Sequence, residues 1–277
     1  MKRRNDGLVH RAIAEGTSSM REMFQVSRPA MGLVAVALYL YDNPDPSLVM
    51  ALYFAFVYQL ACNAGNDYMD WERDRADSHR EFSSSRGRAS AKTRLWWYYA
   101  ASTAVALGLG ISDPLFGAQY LLFTEVMGQW LYNGIFLGLP IHRLSPIKRV
   151  GFPLDLVVAA WSYMPFPYLV SHRCWMPPWH IAAWGLTMLW AQAKDYEHDK
   201  KMGVRTSATV LGPTGVRAVI VLSAAVMVYG DPRLAPYGVY TAVRCMTRWK
   251  RGKMSIVMAL NLIAVIVAES LSRIWTA

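Results

Sequence analysis

The residues best suited to chemistry stand between Asn66 and Asp77, in NDYMDWERDRAD, at the end of a long apolar run. An α-helix turns by about 100° per residue, so Asn66, Asp70 and Asp74, spaced i, i+4, i+8, drift by only about 80° and share one face. Asp67 sits beside that stripe. A second acidic pair, Asp195 and Asp199 in DYEHD, repeats the i, i+4 spacing after another apolar run. Carboxylate oxygens are hard ligands suited to Mg²⁺, which is usually held by a few carboxylates together with substrate phosphates. An acidic helix end with Arg neighbours also suits a solvated membrane–water boundary. Two such ends on one side of a membrane favour a magnesium–diphosphate site.

Basic residues follow both motifs. HREFSSSRGRASAKTR, residues 79–94, offers Arg80, Arg86, Arg88 and Lys92. Arg grips diphosphate oxygens in a fork and Lys as a point charge; the same residues also serve as orientation charges facing lipid headgroups. After the second motif comes KKMGVRTSATVLG, in which Gly203 is expected to end the helix and Arg205 to return toward Asp195 and Asp199. Lys148 and Arg149 of SPIKR form a further basic cluster, and Arg28 of SRP another basic position. Glu125 stands near the middle of an apolar segment, where a carboxylate is expensive, so it should face the interior. It either meets an acceptor or takes up a proton, or is a hydrogen-bonded structural group sharing Gln129 one turn away. Gln59, Asn63 and Asn261 read as helix–helix hydrogen-bonding groups. His198 reads as an exposed spacer, because Mg²⁺ prefers oxygen. Tyr68, Tyr132, Trp161, Tyr163 and Tyr196 lie near the ends of their segments, either walling a reactive cation or facing lipid.

The elements that position these groups are membrane helices. Hydrophobic residues make up 54% of the 277 and charged residues 17%, below the ~25% of soluble chains. Eleven Trp and 15 Tyr suit aromatic belts at two interfaces. The three cysteines have no metal-ligand spacing. Nine apolar segments are marked at 22–41, 47–69, 94–111, 114–138, 152–171, 178–194, 212–229, 232–246 and 254–273, several of them at or below the ~20 residues needed to cross a bilayer upright. Breakers mark the turns: DNPDP at 42–46, DP at 113–114, PP at 177–178, GP at 212–213 and DP at 231–232. With the N-terminus cytoplasmic, 26 of the 29 Lys and Arg fall on the cytoplasmic side, and only Arg173, Arg233 and Arg273 on the other. That is the positive-inside pattern. It accounts for the net charge of +10 without nucleic acid. It also puts both acidic motifs on the cytoplasmic face and the C-terminus opposite. Residues 1–21 have no apolar core of a signal peptide and read as a cytoplasmic tail, with 22–277 one membrane domain.

NDxxDxxxD at the end of the second segment, DxxxDxxxGVRT after the sixth, SRP and SPIKR together resemble the UbiA superfamily of intramembrane prenyltransferases. The resemblance implies an all-α, polytopic bundle of nine transmembrane helices around a central cavity, capped on the cytoplasmic side. It implies Mg²⁺, two ions, and an isoprenyl diphosphate whose chain lies in an apolar tunnel. Asn66, Asp67, Asp70 and Asp74 match the first metal motif, and Asp195 and Asp199 the second. Arg80, Lys148 and Arg205 match basic positions for diphosphate. One departure is Arg80-Glu81, where the family commonly has Arg-Pro; with Ser83, Ser84 and Ser85 it alters the loop that shapes substrate choice. The implied activity is prenyl transfer to a lipophilic, aromatic acceptor. A terpene cyclase on the same fold, which needs no acceptor, and a membrane carrier are the alternatives. A carrier would place its ionisable groups near the midplane, and only Glu125 does so.

Overall fold

The computed structural model describes residues 20–40, 43, 45–74, 88–141, 147, 150–163, 165–172 and 177–247. The ninth segment, the N-terminal tail up to residue 19, Arg80 and Lys148 lie outside the described residues.

Within the described residues the apolar segments become helices, and several of their ends follow the breakers. Helices α1 (Met20–Ser27) and α2 (Pro29–Leu40) replace the first segment and meet at a bend at Arg28, whose φ is 46°. The second segment begins as α3 (Leu48–Leu52), passes through a π-helical turn, π1 (Tyr53–Val57), and continues as α4 (Tyr58–Asp74). Helix α5 (Arg88–Ser112) returns. At the next turn Asp113 caps α6 (Pro114–Tyr120), accepting from Phe116 N–H at 3.0 Å, with Pro114 at the first helical position. A π-helical stretch, π2 (Leu121–Asn133), carries α6 onward.

Three expectations are corrected here. The segment 114–138 is not one helix: it ends at Asn133, and the chain reverses at Gly134 into a small hairpin, β1 (Ile135–Phe136) and β2 (Leu139–Pro140). The hairpin folds back along the bundle, since Leu137 N–H reaches Glu125 at 3.2 Å and Gly138 O accepts from Trp96 Nε1 at 2.6 Å. Segment 152–171 is divided into α7 (Leu154–Tyr163) and α8 (Pro165–His172). The GP pair does not precede the seventh segment but kinks it: α11 runs Ser207–Gly230, with Gly212 non-helical inside it. Helices α9 (Pro178–Lys194), α10 (Tyr196–Lys201) and α12 (Ala235–Thr247) complete the described elements.

Helix α4 packs on α5 and π2, π2 on α7, α7 on α9, α9 on α11, and α11 on α12; α2 packs on π1 and α8. Long-range contacts identify the two ends. At one, Arg28 at the start of α2 meets Asp67 late in α4, and Asp155 at the start of α7 meets Gln192 late in α9 and Ser207 opening α11. At the other, Ser171 late in α8 bonds Tyr39 O late in α2 at 2.7 Å. Both acidic motifs therefore close helices at one end of the bundle. An aromatic knot fills the far half, with the Phe166 ring 5.3–5.8 Å from Phe54, Tyr58, Phe116 and Tyr120. Such packing, not water exclusion, joins helices in lipid. Leu48–Trp71 and Ser207–Gly230 are long and apolar enough to cross a membrane, and the bent pair Met20–Ser27 with Gly32–Leu40 passes as a third. Outward-facing apolar side chains such as Leu48 and Leu222, 74% and 65% exposed, suit lipid contact.

Candidate functional site

Helix α4 delivers the first motif. Asn66 and Asp70 are half-buried, and Asp67 is buried. The Arg28 Nη2 lies 3.0 Å from Asp67 Oδ1, with the Arg28 side chain 42% exposed. Arg28 occupies a backbone region rarely used by non-glycine residues. That turn lets α1 leave the bundle end while α2 enters it. Asp74 closes α4, and its side chain lies outside the described part. Lys92 does not stand alone beside this motif: its Nζ lies 5.1 Å over the Tyr68 ring. The neighbouring Glu22 accepts from Arg94 Nη2 at 3.2 Å, which ties α1 to α5.

The second motif is not on one unbroken helix. Asp195 ends α9 and precedes α10, with φ −92° and ψ 5°, although Asp199 N–H still bonds Asp195 O at 2.9 Å. Asp195 is half-buried and Asp199 buried. Gly203, at φ 68°, ends α10 as expected: Val204 N–H bonds Asp199 O and Gly203 N–H bonds Lys200 O, the paired bonds of a Schellman turn. Arg205 is exposed in the short link that follows. Thr206 and Thr209 then form a reciprocal capping box for α11. His198 is half-buried, not the exposed spacer expected. Lys200 Nζ lies 5.7 Å over the Tyr196 ring, and Tyr132 is buried with Ile147 and Val158.

The donor chemistry fits Mg²⁺: Asn66, Asp70, Asp195 and Asp199 all offer oxygen. Among the described residues no three His, Cys, Asp or Glu side chains stand close enough to hold an ion alone. An ion held by these groups would complete its shell with oxygens of water or of a bound ligand.

Glu125 is fully enclosed. Its carboxylate accepts from Tyr99 OH at 2.6 Å, Tyr120 OH at 3.0 Å, Leu137 N–H at 3.2 Å and Thr103 Oγ1 at 3.3 Å. Gln129 is not its partner: Gln129 Nε2 donates to Ala61 O at 3.1 Å, and Gln129 Oε1 accepts from Asn133 Nδ2. Among the described residues, Gln59 and Asn63 do not bridge helices either. Asn63 Nδ2 donates back to Gln59 O at 2.9 Å within α4, because an i, i+4 amide finds the preceding turn's carbonyl before it finds a neighbour.

Sequence reasoning passed over Asp155. This buried carboxylate accepts from Gln192 Nε2, Ser207 N–H, Ser207 Oγ and Leu156 N–H. Its signal was present, a carboxylate inside an apolar segment, as for Glu125.

The UbiA prenyltransferase family model matches residues 29–269. This chain belongs to that family. Its fold is similar to solved structures of a UbiA homolog from Archaeoglobus fulgidus. The form bound to GPP and Mg²⁺ superposes with a TM-score of 0.62 at 16% identity, over 89% of this chain and 98% of that one. The form bound to DMAPP and Mg²⁺ gives 0.61 over the same shares, again at 16% identity. A Cd²⁺-bound form gives 0.53 at 16% identity, over 88% and 99%. No curated protein sequence matches this UbiA-family chain.

Proposed function

We propose that this UbiA-family chain uses Mg²⁺, taken as two ions, to ionise an isoprenyl diphosphate and passes the prenyl group to a lipophilic acceptor. The observation that carries the reading is the Arg28–Asp67 pair. One N–H of the guanidinium holds Asp67, and the others are available to phosphate oxygens in a partly exposed position beside Asn66 and Asp70. Arg205 would supply a second cation from the far motif, with Lys148 and Arg80 closing the cytoplasmic side. Bound Mg²⁺ would neutralise the leaving diphosphate as the C–O bond breaks. Asp70, Asp74, Asp195 and Asp199 would hold it. The walls near Tyr132 would keep water from the allylic cation. Lys200 over the Tyr196 ring makes Tyr196 the poorer candidate for that cation.

Support for an acceptor comes from the polar residues of α4. Gln59, Asn63, Asn66 and Asp70, at i, i+4, i+7 and i+11, form one polar stripe along α4 that ends in the motif. Buried Gln59 Nε2 has no hydrogen-bond partner among the described residues, and an amide so placed costs about 1–3 kcal/mol. An acceptor bearing oxygen would satisfy it, whereas a cyclising hydrocarbon would not. Charge supports the N-terminus and site being cytoplasmic and the C-terminus opposite, with residues 1–21 a tail and 22–277 one domain under a cytoplasmic cap.

Membranes carrying the protein are incubated with Mg²⁺ and labelled geranyl, farnesyl or geranylgeranyl diphosphate, with and without phenolic and quinone-precursor acceptors. Diphosphate release that depends on acceptor, stops with chelator and is lost in Asp70→Ala is the expected result. Cyclic hydrocarbon formed without acceptor would replace transfer by cyclisation. Release insensitive to both Asp70→Ala and chelation would remove the metal site.

A further inference from the structure

The second acidic motif lies on a segment fastened at both ends to one carboxylate. Gln192, in the last turn of α9, donates Nε2 to Asp155 Oδ2 at 2.9 Å. Ser207, the first residue of α11, donates its backbone N–H to the same oxygen at 2.6 Å and its hydroxyl to Oδ1. Gln192 Oε1 in turn accepts from Ala208 N–H at 3.3 Å. Asp155, Gln192 and Ser207 are all buried. Between the two anchors run residues 193–206, which carry Asp195, Asp199 and Arg205.

Capping alone does not account for this carboxylate. Helix α11 already has its capping box from Thr206 and Thr209, and a neutral Ser or Asn serves a helix start as well as Asp does. Burying a charge costs several kcal/mol unless donors surround it. Here four donors do, two of them backbone N–H groups in the first turns of α7 and α11, where the helix dipoles favour an anion. What the carboxylate adds is a fixed distance between the end of α9 and the start of α11, both referred to α7. The stretch before α7 supports the same segment at a second point. A Cβ at Gly151 would lie 3.1 Å from Arg205 O and 2.7 Å from Val210 Cγ2, so this backbone rests against the backbone of Arg205.

We infer that Asp155 is a positioning residue for the diphosphate site: through Gln192 and Ser207 it sets where Asp195, Asp199 and Arg205 stand. The inference rests on the diphosphate reading above. A misplacement of about 1 Å at such groups costs on the order of 100-fold in rate, so a buried clamp one residue from each end of the segment has leverage on binding without touching substrate.

The test uses the purified full-length protein in nanodiscs, with Mg²⁺ and inorganic pyrophosphate as probe. Binding, backbone amide exchange over residues 193–206 without ligand, and unfolding temperature are compared for wild type, Asp155→Asn and Ser207→Ala. Asp155→Asn turns an amide NH₂ toward donors. It is expected to weaken pyrophosphate binding about tenfold or more and to speed exchange across 193–206, while exchange in α4 stays as in wild type. Ser207→Ala, which deletes one donor, shows the smaller change and serves if Asp155→Asn fails to fold. Adding Gln192→Glu to Asp155→Asn returns a carboxylate to the cluster and should recover part of the affinity. Wild-type affinity and exchange in the variants, with only the unfolding temperature lowered, would overturn the inference and leave Asp155 a folding contact. No binding by wild type would instead overturn the diphosphate reading, and this inference with it.

Discussion

Carboxylates inside a membrane bundle persist where donors replace the water they have lost. Asp67 has the guanidinium of Arg28; Glu125 has two phenols, a threonine and a backbone N–H; Asp155 has an amide, a serine and two helix starts. Asp70 and Asp195 differ from these in being only half-buried. The enclosure of Glu125 supports the structural one of its two readings. Glu125→Gln places an amide N–H against a donor and should cost about 1–3 kcal/mol. It should also loosen the hairpin held through Leu137. A lowered unfolding temperature and faster proteolysis near residues 135–140, with unchanged KM for isoprenyl diphosphate, are expected. A normal unfolding temperature with lost acceptor use would restore the acceptor-binding role.

Among the elements, α10 and its Schellman turn carry the second motif between the Gln192 and Ser207 anchors. Nothing crowds Gly203, where an added Cβ would meet open space, so its requirement is the left-handed φ of 68° alone. Gly203→Asn should therefore be tolerated, because Asn enters that region readily, whereas Gly203→Val should cost about 1–2 kcal/mol. Amide exchange at Val204, whose N–H closes the turn on Asp199 O, reports the difference. Equal protection in both variants would show that the turn is held from elsewhere. A second element is the hairpin after π2. Its non-helical backbone is satisfied by protein groups: Trp96, Glu125 and the β1–β2 pairing.

For the whole molecule, helix packing brings two motifs over a hundred residues apart to one end. Orientation in the membrane is then a single property of the bundle, and labelling measures it. Met202→Cys lies at the motif end and Ser112→Cys at the far end, both at exposed positions. In a background with the native cysteines replaced by serine, an impermeant maleimide should reach Met202→Cys only in inside-out vesicles and Ser112→Cys only in right-side-out ones. The reverse pattern would place the site outside.

Sequence alone determined the apolar segments, most of their turns, the two carboxylate motifs and the charge asymmetry. Each is a local or one-dimensional property: hydropathy over some twenty residues, i, i+4 spacing, a proline or a count of lysines and arginines. The resemblance to UbiA proteins rested on the same short motifs, and the family match bears it out. The reversal at Gly134 was readable in part, since Gly134 precedes, and Gly138 and Pro140 interrupt, the apolar IFLGLP run. Tertiary structure decided the partners. Arg28 with Asp67, Glu125 with Tyr99, and Asp155 with Gln192 and Ser207 are separated by 39, 26, 37 and 52 residues. No local pattern encodes such pairings. They exist because the packing of neighbouring helices brings those turns level, and a buried charge then takes whichever donors that packing supplies.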